Sequence, residues 1–149
     1  MVINIKDDSE IEVMIEAGHI VFKTHKYLAD FIKAGITTDR LNELAEKFIL
    51  DMEAYPSFKG YNGFPKAICT SVNEQVVHGI PSNYKLKNGD IISIDIGVYY
   101  KGYHGDSAFT YKVGNIDNDK AHLLEHTEKA LYQGLKEIKP GNRIGDISN

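Results

Sequence analysis

Apolar and polar positions along the chain repeat with two different periods. Over residues 8–34, DSEIEVMIEAGHIVFKTHKYLADFIKA, apolar side chains recur at Ile11, Met14, Ile15, Val21, Phe22, Leu28, Phe31 and Ile32. That spacing is close to 3.6 residues and predicts one long amphipathic helix, stopping at Gly35. A second helix is predicted over 38–54, with Thr37 or Thr38 as N-cap and Asp39 in the first turn. Leu41, Leu44, Ala45, Phe48 and Ile49 form its apolar stripe. The glycines, prolines and asparagine of YPSFKGYNGFP then mark a structured loop.

In the middle of the chain the period drops to two. AICTSV (67–72) reads as a strand, and NEQVVHGIP as a turn with a short extended piece. DIISIDIGVYY (90–100) sets Ile92, Ile94, Ile96 and Val98 on one face, with GYHGDSAFTYKV (102–113) as its hairpin partner. The helical period returns over 117–137 through Leu123, Leu124, Leu131 and Leu135, with Ile138 just beyond. Ile32, Lys33 and Gly35 match Ile138, Lys139 and Gly141 at a constant offset of 106 residues. Each trio closes a helix and precedes a new helix start. The expectation is a mixed α/β (α+β) chain with an internal repeat. It is read as one catalytic-type domain, 1–149, left incomplete. Residues 1–115 are its first pseudo-repeat and 116–149 the start of its second.

Composition narrows the function classes. With 149 residues, 42 % of them hydrophobic, the chain fits one domain with a real core. A net charge of −4 argues against a broad nucleic-acid surface. The single cysteine, Cys69, allows no intramolecular disulfide and suits a reducing compartment. No apolar run approaches about 18 residues, and the N-terminus has no signal-peptide pattern. A soluble, cytoplasmic protein is expected.

Two carboxylates stand out in the β region. With a hairpin loop centred on Tyr100-Lys101, Asp95 and Asp106 would lie directly opposite on one face. An odd loop would make them diagonal neighbours. Ser93 and Gly97 on the same face would leave room for a ligand. Two ionised carboxylates this close repel. One of them can hold a proton, or a divalent cation can sit between them. The plain alternative is a solvated pair on an open sheet face. Nearby, His78 is followed by Gly79 and Pro81, which present its imidazole on a stiffened loop edge. His104 precedes Asp106 on the same strand face. HLLEH (122–126) matches the inverted zinc-protease helix signature. No third ligand is evident for it, and an ordinary helix with a solvated face is the better reading.

GYNGFPKAICTSVNEQVVHGIP, followed by GDIISIDIGVYYKGYHGDSAFTYKVG, closely resembles type I methionine aminopeptidase of the bacterial kind. The ordered motifs are FPxxxCxSxNExxxHGIP, GDIxxIDxG and GYHGD, and the resemblance covers the whole chain. It implies the N-terminal half of a pita-bread fold, in which two pseudo-symmetric α/β halves surround a dinuclear metal site. By position, Asp95 and Asp106 would be metal ligands. His78 would be catalytic and substrate-contacting. Tyr61, Phe64 and Cys69 would line the methionine pocket. The implied cofactors are two divalent ions of the Co, Mn, Fe, Zn or Ni class. The implied reaction removes the initiator methionine from nascent polypeptide N-termini. Ribosome association is compatible with that role. No nucleic-acid binding of its own and no membrane contact are implied, and full-length members are usually monomeric. The sequence departs from the family in two ways. Asn62 replaces a histidine, and a histidine and two glutamates of the metal set have no counterpart. The expectation is therefore a fragment of a longer aminopeptidase, inactive and weak in metal binding by itself, with exposed apolar surface. The alternative is a catalytically inactive pita-bread fragment that binds peptides or proteins.

Overall fold

The computed structural model describes residues 3–149 and divides into two compact units, Met1–Asn115 and Ile116–Asn149. In the first, helix α1 (Asp8–Ala29) starts at a capping box. Asp7 accepts from the Glu10 N–H at 2.9 Å, and Glu10 accepts from the Asp7 N–H at 2.8 Å. The helix stops short of residue 34 because the chain beyond it pairs elsewhere. The Gly35 N–H donates to Leu86 O, and the Leu86 N–H to Ile36 O. Helix α2 (Thr38–Asp51) is capped by Thr37, whose hydroxyl accepts from the Arg40 N–H at 3.1 Å.

The strands are β1 (Tyr55–Pro56), β2 (Ile68–Val72), β3 (Ile91–Tyr100) and β4 (Tyr103–Lys112), all antiparallel. β3 is central, with β4 on one side and both β1 and β2 on the other. Ile92, Ile94, Ile96 and Val98 are each 0 % exposed, and they pack with Ile20, Val21 and Leu28 of α1 and Leu41, Ala45 and Ile49 of α2. Burial of each such side chain contributes ~1.5–3 kcal/mol.

The buried face of α1 differs from the predicted stripe. Ala17, Ile20, Val21, Thr24, His25 and Leu28 are buried, whereas Ile11, Met14, Ile15 and Phe22 are exposed. The cause is close packing: a Cβ on Gly105 of β4 would lie 2.7 Å from the carbonyl carbon of Ala17. The helix lies against bare backbone there, so its small residues face the sheet.

The hairpin register also differs from the expected one. Tyr100 pairs with Tyr103, so the two-residue loop is Lys101-Gly102, with φ of 45° and 95°. Positive φ at both positions is the demand of a type I′ turn, which Gly102 meets without strain. Asp95 therefore opposes Ala108, and Asp106 opposes Gly97.

In the second unit, α3 (Asn118–Lys136) is capped by Asp117 and followed by α4 (Ile144–Ser148). The two meet where Gly134 leaves room for the Ile147 backbone. The predicted stripe of α3 is exposed: Leu123, Leu131, Leu135 and Ile138 all are, and neither helix has a buried residue.

Candidate metal centre

The face of β3 opposite the core carries Ser93, Asp95 and Gly97, and register builds the site around it. Cys69, Asp95 and Ala108 form one row across β2, β3 and β4. Ser71, Ser93 and Thr110 form the next, with Ser93 Oγ 2.6 Å from Thr110 Oγ1. Asp106, opposite Gly97, is a diagonal neighbour of Asp95 on the same face. The pair is offset by one step rather than directly opposed. Such neighbours have backbones ~7–8 Å apart, close enough for carboxylates to interact.

Asp95 is partly buried and Asp106 exposed. Burial, then the charge of Asp106, pushes the Asp95 carboxyl up to about 6. Its Oδ1 is buried with no hydrogen-bond partner. A buried oxygen with nothing to bond is costly, and the group is an acceptor in need of a proton or a cation. Burial and the same two aspartates push the Cys69 thiol up to about 11. Cys69 is thus a neutral, apolar wall beside Asp95 and a poor nucleophile.

His78 reaches this region through an unusual backbone. Its φ is +58°, outside the range most side chains adopt. The following residue is stitched to β2: the Thr70 N–H donates to Gly79 O at 2.7 Å, and the Gly79 N–H to Ser71 Oγ at 3.1 Å. A Cβ on Gly79 would fall 2.2 Å from Thr70 O, so only glycine permits this approach. His78 is exposed, and its charge draws the Asp95 carboxyl down, against the upward push of burial and Asp106.

The space over Gly97 is not open to a ligand. A Cβ there would meet the Phe58 ring at 2.4 Å and Ser57 at 2.9 Å. Ser57 also anchors His104, whose Nδ1 lies 2.8 Å from Ser57 Oγ and whose ring tilts against Tyr99. Sequence reasoning missed Ser57 and Phe58, because only the β1 pairing folds that loop back onto β3. Tyr61 and Phe64 sit on the same loop. Tyr61 is 70 % exposed, and among the described residues neither shares a hydrogen bond or ring contact with the aspartates' face. Register thus puts Asp95, Asp106 and Cys69 on one sheet face, with His78 on the loop after β2 and Tyr61 and Phe64 on the loop after β1.

Among the described residues, no three or more His, Cys, Asp or Glu side chains converge in a metal-holding geometry. HLLEH accordingly lacks the third ligand of a zinc protease. Asp95 and Asp106 fit part of a divalent-ion site: hard oxygen donors, an orphaned oxygen and small neighbours.

Comparisons with known proteins give the family. The description of metallopeptidase family M24 matches residues 12–149. Methionine aminopeptidase 1 of Bacillus subtilis (strain 168) is 58 % identical over 144 residues, covering 97 % of this chain and 58 % of the relative. The methionine aminopeptidase of Clostridium acetobutylicum is 49 % identical over 146 residues, covering 97 % and 58 %. The crystal structure of methionine aminopeptidase from Rickettsia prowazekii superposes with a TM-score of 0.96 at 38 % identity, covering 98 % of this chain and 59 % of that one. The chain thus spans under two thirds of the length of these relatives.

Proposed function

The chain belongs to metallopeptidase family M24 and has the pita-bread fold of its aminopeptidase relatives, and on that premise we propose that it carries part of the active site of a methionine aminopeptidase. The substrate class is the free N-terminus of a nascent polypeptide beginning with methionine. Asp95 and Asp106 would hold divalent ions, two in number and of the Co, Mn, Fe, Zn or Ni class. When bound, such ions polarise the scissile carbonyl and activate water. His78 supplies a hydrogen bond or a proton at the substrate's peptide group. Cys69 and Phe58, with Phe64 and Tyr61 from the same loop, form the apolar side that a thioether prefers. Residues 1–115 act as a first pseudo-repeat, with 116–149 opening a second. The setting is the cytoplasm, close to the ribosome where new N-termini emerge. Among the described residues no helix is long and apolar enough to cross a membrane.

The observation that supports this reading is the Asp95–Asp106 pair with its orphaned oxygen. Among the described residues only Asp95 and Asp106 offer paired carboxylates on this face, which favours a second reading, in which the chain binds peptides without hydrolysing them. Fluorescence polarisation of a labelled peptide with N-terminal methionine separates the two. The aminopeptidase reading expects binding that requires Mn²⁺ and is lost when the amino group is acetylated. Binding indifferent to both would support the second reading and sink the first.

A further inference from the structure

We propose that Ser57 and His104 form a positioning pair that fixes the loop after β1 against the aspartate face and so sets how a first side chain is held there. This role rests on the aminopeptidase reading, which it deepens. β1 and β4 flank β3 on opposite sides, two strand spacings apart, or roughly 9–10 Å. Ser57 follows β1 and His104 lies in β4, yet Ser57 Oγ and His104 Nδ1 are 2.8 Å apart. Their contact therefore crosses over β3. Gly97 permits the crossing: a Cβ there would meet Ser57 Cβ at 2.9 Å and the Phe58 ring at 2.4 Å. The Ser57 N–H also donates to Gly97 O at 2.8 Å, and the His104 ring lies 5.0 Å from that of Tyr99 between centroids.

What the pair holds is a preformed unit. The Gly60 N–H donates to Phe64 O at 2.8 Å, the Tyr61 N–H to Phe58 O at 3.0 Å, and the Phe64 N–H to Tyr61 O at 2.9 Å. Residues 58–64 are thus tied to one another, and their place depends on their anchors. Two anchors reach α2. Lys59 pairs with Glu46, an exposed ion pair that holds weakly. The Ala67 N–H donates to Asn42 Oδ1 at 2.8 Å. Neither sets the loop against the sheet face. Ser57 does so, through Gly97 and through His104, and only the His104 bond reaches β4, the strand of Asp106. Phe58, Tyr61 and Phe64 supply the apolar side for the first residue of a peptide, and Asp106 lies opposite Gly97. The pair therefore fixes the apolar side relative to the acidic one. A shift of ~1 Å between such groups is enough to spoil a fitted site.

Two measurements on the full chain test the proposal. Fluorescence polarisation with Mn²⁺ compares labelled peptides that begin with methionine and with alanine. Hydrogen exchange follows the Tyr61 and Phe64 amides. The variants are Ser57→Ala, His104→Ala and both together, with Ser57→Thr and His104→Asn as changes that keep a hydrogen-bonding group in place. Circular dichroism checks the fold of each. Loss of one hydrogen bond corresponds to about two- to tenfold in a local equilibrium. Each single alanine variant should speed exchange at both amides by that factor and lower the preference for methionine over alanine to match. The double variant should add nothing to either single one. Ser57→Thr and His104→Asn should restore both readouts, and Mn²⁺ affinity by calorimetry should not change in any variant. Unaltered exchange in the alanine variants would overturn the proposal. Faster exchange with an unaltered preference, or a parallel fall in Mn²⁺ affinity, would overturn it too, since the pair would then only brace the fold. An unmodified chain that binds neither peptide contradicts the aminopeptidase reading instead, and exchange alone then decides whether the pair holds the loop.

Discussion

Asp95 is kept at a cost to the fold. It is partly buried, one oxygen lacks a partner, and a second carboxylate lies diagonal to it. In the ion-free protein, Asp95→Asn removes a repelling charge while preserving shape. The melting temperature without metal should stay level or rise by a few degrees, and Mn²⁺ should no longer raise it. A fall on mutation would mean that the carboxylate is structural. Both aspartates were legible in the sequence, because aspartate is depleted in strands and these two stand on small-residue faces. Their mutual placement was not, because it depends on the turn. Gly102 was the available signal, since a two-residue hairpin loop favours glycine at its second position. His25 was passed over altogether. It is buried, its Nε2–H donates to Ser107 O at 3.0 Å, and its Nδ1 lies 3.1 Å from the Tyr111 hydroxyl. Burial holds it below its ordinary value of 6.5, with the Ser107 hydrogen bond partly offsetting. The folded state therefore takes up this proton less readily than the unfolded chain. Stability from this group is fully present above pH 6.5 and is lost as pH falls through the lowered folded value. His25→Gln should flatten the acid side of the stability profile below pH 6.5, read by urea unfolding across pH. An unchanged slope would contradict this assignment.

Among the elements, α1 and β4 show what periodicity carries and what it omits. The repeat of apolar positions located α1, but the buried face was set by backbone contact at Gly105, which the letters alone do not reveal. Gly105→Ala should push α1 from β4 and cost ~1–3 kcal/mol in chemical denaturation, as overpacking does. A cost near zero would mean that the helix and strand separate easily. β1 was missed because two residues carry no periodic signal, yet its pairing returns Ser57 and Phe58 to the site. The segment after α1 was misread for a related reason. Residues 30–34 continue the helical pattern, but Gly35 and Ile36 pair with Leu86 instead, and long-range pairing overrides local propensity. α3 was legible in position, and its exposed stripe was not, since periodicity shows which residues share a face but not what covers them.

For the molecule as a whole, fold and family were legible from ordered motifs, and the superposition with a solved aminopeptidase agrees closely over 98 % of the chain. The site was legible in kind and incomplete in number: Asp95, Asp106 and Cys69 share one sheet face, and His78 sits on the loop after β2. The central claim is that this face is a hard divalent-ion site. Calorimetric titration with Mn²⁺ tests it most directly, on the unmodified chain and on Asp95→Asn, Asp106→Asn and His122→Ala. Binding is predicted for the unmodified chain and His122→Ala, and its loss in both aspartate variants. Binding that survives both aspartate substitutions, or disappears only with His122→Ala, would contradict the claim.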